Sequence, residues 1–120
     1  MAHFTVENLQ KDRLGEAWPV VRTSGLEANL DWWLTDAAGR IDRGGGVLVA
    51  RAPDGSIHGV AAYGLAGKTH EARVLTVDLL LTFELNGRAP ARRALSKALE
   101  KAAAALDSTG IVIPLGASAA

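Results

Sequence analysis

The first quarter of the chain changes from strand-like to helical patterning. Apolar side chains alternate over Phe4–Leu9, which predicts a short first strand. Apolar residues then recur at helical spacing over residues 13–23, and Asp12 is the predicted N-cap of this helix. Pro19 lies inside that pattern, so we expect it to kink the helix or to end its regular part.

A second helix is predicted from the capping box Ser24-Gly25-Leu26-Glu27, with its stop at Gly39. Trp32 and Trp33 point about 100° apart on a helix, so one of them is expected at the edge of the buried stripe. Residues 40–46 are predicted to be a linker. Its glycine run leads into a strand rather than a helix, which favours a flexible connector over a phosphate-binding loop.

Three strand-like runs follow in the middle of the chain. Val47–Ala52 and Ile57–Leu65 flank the turn sequence Pro53-Asp54-Gly55-Ser56 and predict a hairpin. Arg73–Leu85 is apolar on both faces, which is typical of a central strand covered on two sides. An antiparallel meander is therefore expected over residues 47–85.

The last third predicts one helix and one strand. From Pro90 onward, small and apolar residues recur every three or four positions, with the basic residues mostly opposite them. Gly110–Leu115 is continuously apolar and is expected to pair in parallel after this crossover. Residues 116–120 are expected to form a loose end. The fold class is α+β: a mixed, mostly antiparallel sheet with helices on both faces.

Composition narrows the possible functions. The 120 residues carry 13 basic and 13 acidic side chains, 48% apolar residues and no cysteine. One domain over residues 1–120 is expected, in three parts: 1–46, 47–85 and 86–115. A disordered chain, a thiolate metal site and a thiol nucleophile are excluded, and zero net charge argues against nucleic acid or anionic membranes as partners. Without a signal-like N-terminus or a run of about 20 apolar residues, the expected location is the cytoplasm.

The spacing of residues supports neither a metal site nor a serine nucleophile. His3, His58 and His70 show no metal-ligand spacing, so no metal site is expected. No serine has a G-x-S-x-G setting.

Residues 75–95 resemble the GNAT superfamily of acyl-CoA-dependent N-acetyltransferases. The strand Leu79–Leu85, the loop Asn86–Ala91 and the helix start Arg92–Leu95 are similar to that family's strand, Q/R-x-x-G-x-G/A loop and small-residue helix start. The resemblance implies a GNAT fold, acetyl-CoA as cofactor and backbone amides that face its pyrophosphate, with the pantetheine arm in a gap beside the strand. The implied cofactor-binding residues are Leu81, Phe83, Asn86, Gly87, Arg88, Ala89, Ala91 and Arg92.

The sequence departs from the family pattern inside the loop. Asn86 stands where Gln or Arg is usual, Ala89 stands where the first Gly is usual, and Pro90 lacks an amide donor. The cluster of Arg88, Arg92 and Arg93 has two interpretations: it pairs with phosphate, or it is the solvated start of an amphipathic helix.

Two residues are candidates for proton transfer. Asp78 lies within the long apolar strand and could act as a base; the alternative is that it faces solvent or pairs with an arginine. Tyr63 is the only tyrosine and the second candidate, since the family often uses a tyrosine as acid. The resemblance implies an N-acetyltransferase for a small amine or a peptide amine. The alternative is a non-catalytic binding or assembly module, a homodimer through its C-terminal sheet edge.

Overall fold

A computed structural model describes residues 4–24, 29–66, 74–83, 89–106, 110–112 and 118–119. Strand β1 is Thr5–Asn8. A helical segment follows, made of 3-10 turns at Lys11–Ala17, the α-helical turn α1 at Trp18–Val21 and a further 3-10 turn at Arg22–Ser24. Then come helix α2 (Leu30–Asp42), strands β2 (Gly46–Arg51), β3 (Ile57–Ala66) and β4 (Val74–Thr82), helix α3 (Pro90–Ala105) and two short strands, β5 (Ile111–Val112) and β6 (Ser118–Ala119).

The strands form one mixed sheet in the order β1-β2-β3-β4-β5, and β6 also pairs with β4. The neighbours from β1 to β4 are antiparallel, whereas β5 and β6 both run parallel to β4. This arrangement confirms the predicted α+β class, the meander and the parallel return strand.

The two faces of the sheet carry separate cores. Val47 and Val49 of β2 point toward α1 and α2, and Leu48 and Ala50 point toward α3, because side chains alternate along a strand. Burial of β4 on both sides follows from the same arrangement: Leu81 packs toward α2 and Leu80 toward α3. No charged or polar side chain is buried among the described residues.

The first helical segment differs from its prediction at its start. Gln10, not Asp12, is the N-cap residue, and its side chain makes no capping hydrogen bond; Asp12 lies in the first turn. Near Pro19 the amide of Trp18 donates to the carbonyl of Gly15, a 3-10 bond, and the α-helical turn begins at Trp18. Pro19 lies at the start of this turn, where its missing N–H is tolerated, so it does not end the regular part of the helix as predicted.

Helix α2 begins and ends at other residues than predicted. Its N-cap is Asn29, whose side chain accepts from the Trp32 amide at 2.8 Å. Residues 25–27 of the predicted capping box lie outside the described residues. The helix passes through Gly39 and ends where Gly44 adopts a φ of 91°.

The reason for the later end is a two-bond C-terminal cap. The Gly45 amide donates to the Arg40 carbonyl and the Gly44 amide to the Ile41 carbonyl, the pattern of a Schellman motif. The predicted linker over residues 40–46 is therefore wrong. The glycine run is packed rather than flexible, because a Cβ on Gly46 would lie 2.7 Å from the Tyr63 hydroxyl oxygen.

As predicted, one of the two adjacent tryptophans is buried and the other is not. Trp33 is buried and its Nε1–H donates to the Leu14 carbonyl at 2.8 Å, which ties α2 to the 3-10 turns. Trp32 is exposed.

The C-terminal end is not wholly loose, which corrects the expectation for residues 116–120. Ser118 and Ala119 form β6 beside Leu80 and Leu81.

Candidate active site

A β-bulge in β4 is the structural centre of the candidate site. Ala62 of β3 pairs with Leu79 and the next residue, Tyr63, pairs with Val77, so Asp78 has no partner on β3. A bulge bends its strand and shifts the alternation of side chains. Before the bulge, odd-numbered residues such as Val77 point toward α3; after it, odd-numbered residues such as Leu81 point toward α2.

The outer edge of β4 is interrupted at the same place. β5 pairs with Leu75 and Thr76, and β6 pairs with Leu80 and Leu81. Between them, residues 77–79 have no strand partner on this edge among the residues that the structure describes. An unpaired stretch of strand edge is the kind of position at which an extended ligand that carries amides can bind.

Asp78 lies on the α2 side of this gap in an ion-pair cluster. Arg40 donates through Nη1 to the Asp78 carboxylate and through Nε to Asp36, at 2.9 Å for the latter. The side chain of Arg40 is 17% exposed and that of Asp78 is 39% exposed. Burial disfavours the charged guanidinium, but the hydrogen bonds to Asp78 and then to Asp36 outweigh it, and the pKa of Arg40 is raised above its ordinary value. The Asp78 carboxylate is thus paired with an arginine and is also partly exposed.

Tyr63 lies on the opposite face of the sheet from Asp78. Its ring is buried in the α3-side core, and its hydroxyl accepts from the Asn8 side-chain amide at 3.1 Å. The two proton-transfer candidates are therefore not brought together.

The start of α3 has an unusual backbone. Ala89, the N-cap residue, has φ 48° and ψ 57°, the left-handed conformation that glycine adopts without steric cost. Ala89 itself has no side chain that could accept a capping hydrogen bond, and Pro90 occupies the first turn. The chain thus keeps a glycine-type conformation at the position where the family pattern usually has glycine.

The other implied cofactor residues are distributed around this end of β4. Leu81 is buried toward α2, and Phe83 is exposed at the strand end. In α3, Ala91 is buried against the sheet and Arg92 is half-buried. Asn86, Gly87 and Arg88 lie outside the described residues.

Sequence reasoning missed Arg40 and Arg43, since both fall in the predicted linker. One signal could have found Arg40: Asp36 precedes it by four residues, the spacing of a helical ion pair. Arg43 lines a cavity with Arg40 and Asp78.

A larger open groove of about 620 Å³ lies elsewhere, between the end of β1 and the end of α2. Its charged residues include Lys11, which pairs with Asp42. Among the described residues, no three His, Asp or Glu side chains lie together as a metal site would need.

No family model and no curated protein matches the chain in sequence. Solved structures do match its fold. An aminoglycoside N-acetyltransferase, AAC(6')-Iy, in complex with CoA aligns with a TM-score of 0.79 at 13% identity, over 95% of this chain and 78% of that one. A ribosomal-protein-alanine N-acetyltransferase from Brucella melitensis biovar Abortus aligns at 0.74 and 18% identity, over 93% and 79%. A GNAT family acetyltransferase from Staphylococcus aureus aligns at 0.73 and 9% identity, over 92% and 85%.

These likenesses establish the architecture. The chain has the acyl-CoA N-acyltransferase fold of the GNAT acetyltransferases, as the resemblance of residues 75–95 implied. None of the helices in the described part of the chain has the length and apolar run that crossing a bilayer requires.

Proposed function

We propose that the protein is an acetyl-CoA-dependent N-acetyltransferase for a small amine. The observation that carries the proposal is the gap on the outer edge of β4 at the Asp78 bulge, in a fold shared with CoA-binding acetyltransferases. At this gap, the backbone groups of residues 77–79 lie at the outer edge of the sheet, and the Asp78 carboxylate lies on the α2 side.

The described residues fit such a cofactor at two points. The start of α3, with the left-handed Ala89 before it, suits an anion, because a helix start concentrates partial positive charge. The edge at residues 77–79, which has no strand partner among the described residues, suits an arm that carries amide groups. When bound, acetyl-CoA supplies an acetyl group that is activated for transfer to nitrogen.

Asp78 is the residue we assign to the amine. Its carboxylate is partly exposed, and the Arg40 contact fixes its orientation from the side of α2. In this role Asp78 holds the amine at the gap and accepts a proton from its nitrogen.

Calorimetric titration with acetyl-CoA tests the proposal. At about 100 times Kd, one bound ligand adds about 2.7 kcal/mol of stability. For a chain of this length that corresponds to a rise in Tm of roughly 10 °C. Absence of both heat and thermal shift at millimolar acetyl-CoA would refute the assignment.

A matched pair of variants locates the binding. Arg92→Gln removes a cation from the first turn of α3, and Lys101→Gln removes one from the far end of the same helix. We expect the first to weaken acetyl-CoA binding several-fold and the second to leave it unchanged, because the attraction to phosphate falls off with distance and screening. Equal effects would mean that the start of α3 is not the phosphate site.

The alternative is a non-catalytic binding module, and one observation favours it. Ser118 and Ala119 already pair with Leu80 and Leu81, so the chain itself fills part of the edge that the pantetheine arm would use. This alternative expects a homodimer that covers the C-terminal sheet edge. Light scattering that finds a monomer at micromolar concentrations would count against it, as would turnover of acetyl-CoA with an amine.

A further inference from the structure

A small cavity lies between the end of α2 and the strands β3 and β4. Its volume is about 180 Å³, which is of the size that holds one small organic molecule, since a cavity of roughly 150 Å³ binds benzene. The lining residues are Arg40, Arg43, Gly64, Leu65, Thr76 and Asp78.

The two arginines of this cavity differ in how their charges are balanced. Arg40 is paired with both Asp36 and Asp78. For Arg43, no carboxylate of the described residues lies within ion-pair distance of the guanidinium. Among the described residues, no carboxylate therefore balances the charge of Arg43, and this charge can attract an anion.

Asp78 provides the opposite charge on the other wall. Only one of its carboxylate oxygens is engaged by Arg40, and 39% of its side chain is exposed. A carboxylate accepts several hydrogen bonds, so Asp78 can hold an ammonium group while it remains paired with Arg40.

Two glycines affect the cavity: Gly64 lines it, and Gly39 lies against the side chain of Arg43. A Cβ on Gly64 would lie 3.7 Å from Thr76 Oγ1 and 3.8 Å from Arg40 Nη1, so a methyl group would enter the cavity without a clash. A Cβ on Gly39 would lie 3.0 Å from Arg43 Nη1. The guanidinium of Arg43 thus folds back over Gly39, a position that a larger residue would disturb.

We infer that this cavity binds a small zwitterion, a free amino acid whose ammonium group lies at Asp78 and whose carboxylate lies at Arg43. The inference rests on the proposed function in one respect: the bound amino acid is then the acceptor of the acetyl group, so the acceptor amine has a carboxylate beside it. A peptide amine fits less well, because it has a neutral carbonyl in place of the anion and needs an exit for the rest of its chain.

Three matched probes test the inference in the absence of acetyl-CoA: L-alanine, L-alaninamide and ethylamine, titrated into the protein at neutral pH and followed by NMR or calorimetry. A charged hydrogen-bond pair contributes enough for about a tenfold difference in Kd. We expect L-alanine to bind at least that much more tightly than the other two. Equal affinities, or no binding by any of the three, would overturn the inference.

Variants connect the preference to the cavity. Arg43→Gln should remove the preference for L-alanine and leave ethylamine unchanged. Gly64→Ala should weaken L-alanine binding, whereas Gly15→Ala adds the same methyl group to open space outside the cavity and should have no effect. A tight L-alanine complex that survives both Arg43→Gln and Gly64→Ala would place the binding elsewhere and contradict the inference.

The outcomes separate this inference from the proposed function. Acetyl-CoA binding without a preference among the probes refutes only the amino-acid site. L-alanine binding that depends on Arg43, without any acetyl-CoA binding, supports the site and refutes the transferase.

Discussion

Ala89 is the residue at which one substitution tests the backbone of the candidate site. With φ 48° it has a left-handed conformation, which costs a residue with a Cβ about 1–2 kcal/mol. Ala89→Gly removes that cost. An opposing effect is that glycine increases the conformational entropy of the unfolded chain, which destabilises the folded state by about 0.4–1 kcal/mol. The difference predicts a net stabilisation of roughly 0.5–1 kcal/mol.

The measurement is urea unfolding, followed by far-ultraviolet circular dichroism and by tryptophan fluorescence. A gain of this size corresponds to a Tm higher by roughly 2–4 °C for a chain of this length. The control is Ala94→Gly in the regular part of α3, where glycine costs about 1 kcal/mol. The two variants should differ in sign. If Ala89→Gly destabilises the protein as Ala94→Gly does, residue 89 is not left-handed and the helix start has another geometry.

Two further predictions concern the other side of the sheet. Trp33→Phe removes the indole donor to the buried Leu14 carbonyl, which should lower the free energy of unfolding by about 1–3 kcal/mol. Trp32→Phe on the exposed face should change the free energy of unfolding by no more than about 0.5 kcal/mol. Equal losses in urea unfolding would disprove the difference in burial. Hydrogen bonds from Arg13 and then Arg51 lower the pKa of Glu16 to about 2. The contribution of Glu16 to stability is therefore present above pH 4.5 and is lost as the pH falls toward 2. An NMR titration of Glu16 should have its midpoint at about pH 2, whereas a midpoint near the ordinary value of 4.5 would mean that the ion pairs do not form in solution.

Local patterns were sufficient to predict most of the elements. The hairpin of β2 and β3 follows from two apolar runs around Pro53-Asp54-Gly55-Ser56, and α3 follows from alanine and leucine at helical spacing after Pro90. Because these signals are local in the sequence, they can be recognised without knowledge of the rest of the fold.

The end of α2 shows where local reasoning fails. Gly39 and Gly44 are both plausible helix stops in the sequence. The choice depends on the Schellman bonds to Arg40 and Ile41 and on the side chain of Arg43, which occupies the space that Gly39 leaves open. Such contacts depend on backbone geometry that a hydrophobic pattern does not contain.

The candidate site was predicted only in part, because its centre depends on long-range register. Asp78 was identified as a candidate, and its arginine partner was anticipated as a type but not as Arg40, which lies 38 positions earlier. The bulge results from the pairing of β3 with β4. The pairing of Ser118 and Ala119 with β4 has no signal in their small side chains.

Under the proposed function, acetyl-CoA binds along the outer edge of β4 and at the start of α3. Backbone amide NMR with acetyl-CoA tests this proposal. We expect the largest saturable shifts at residues 77–79 and at Ala91, with small shifts in β1. Shifts that are absent at millimolar acetyl-CoA, or that centre on the groove beside Lys11, would contradict it.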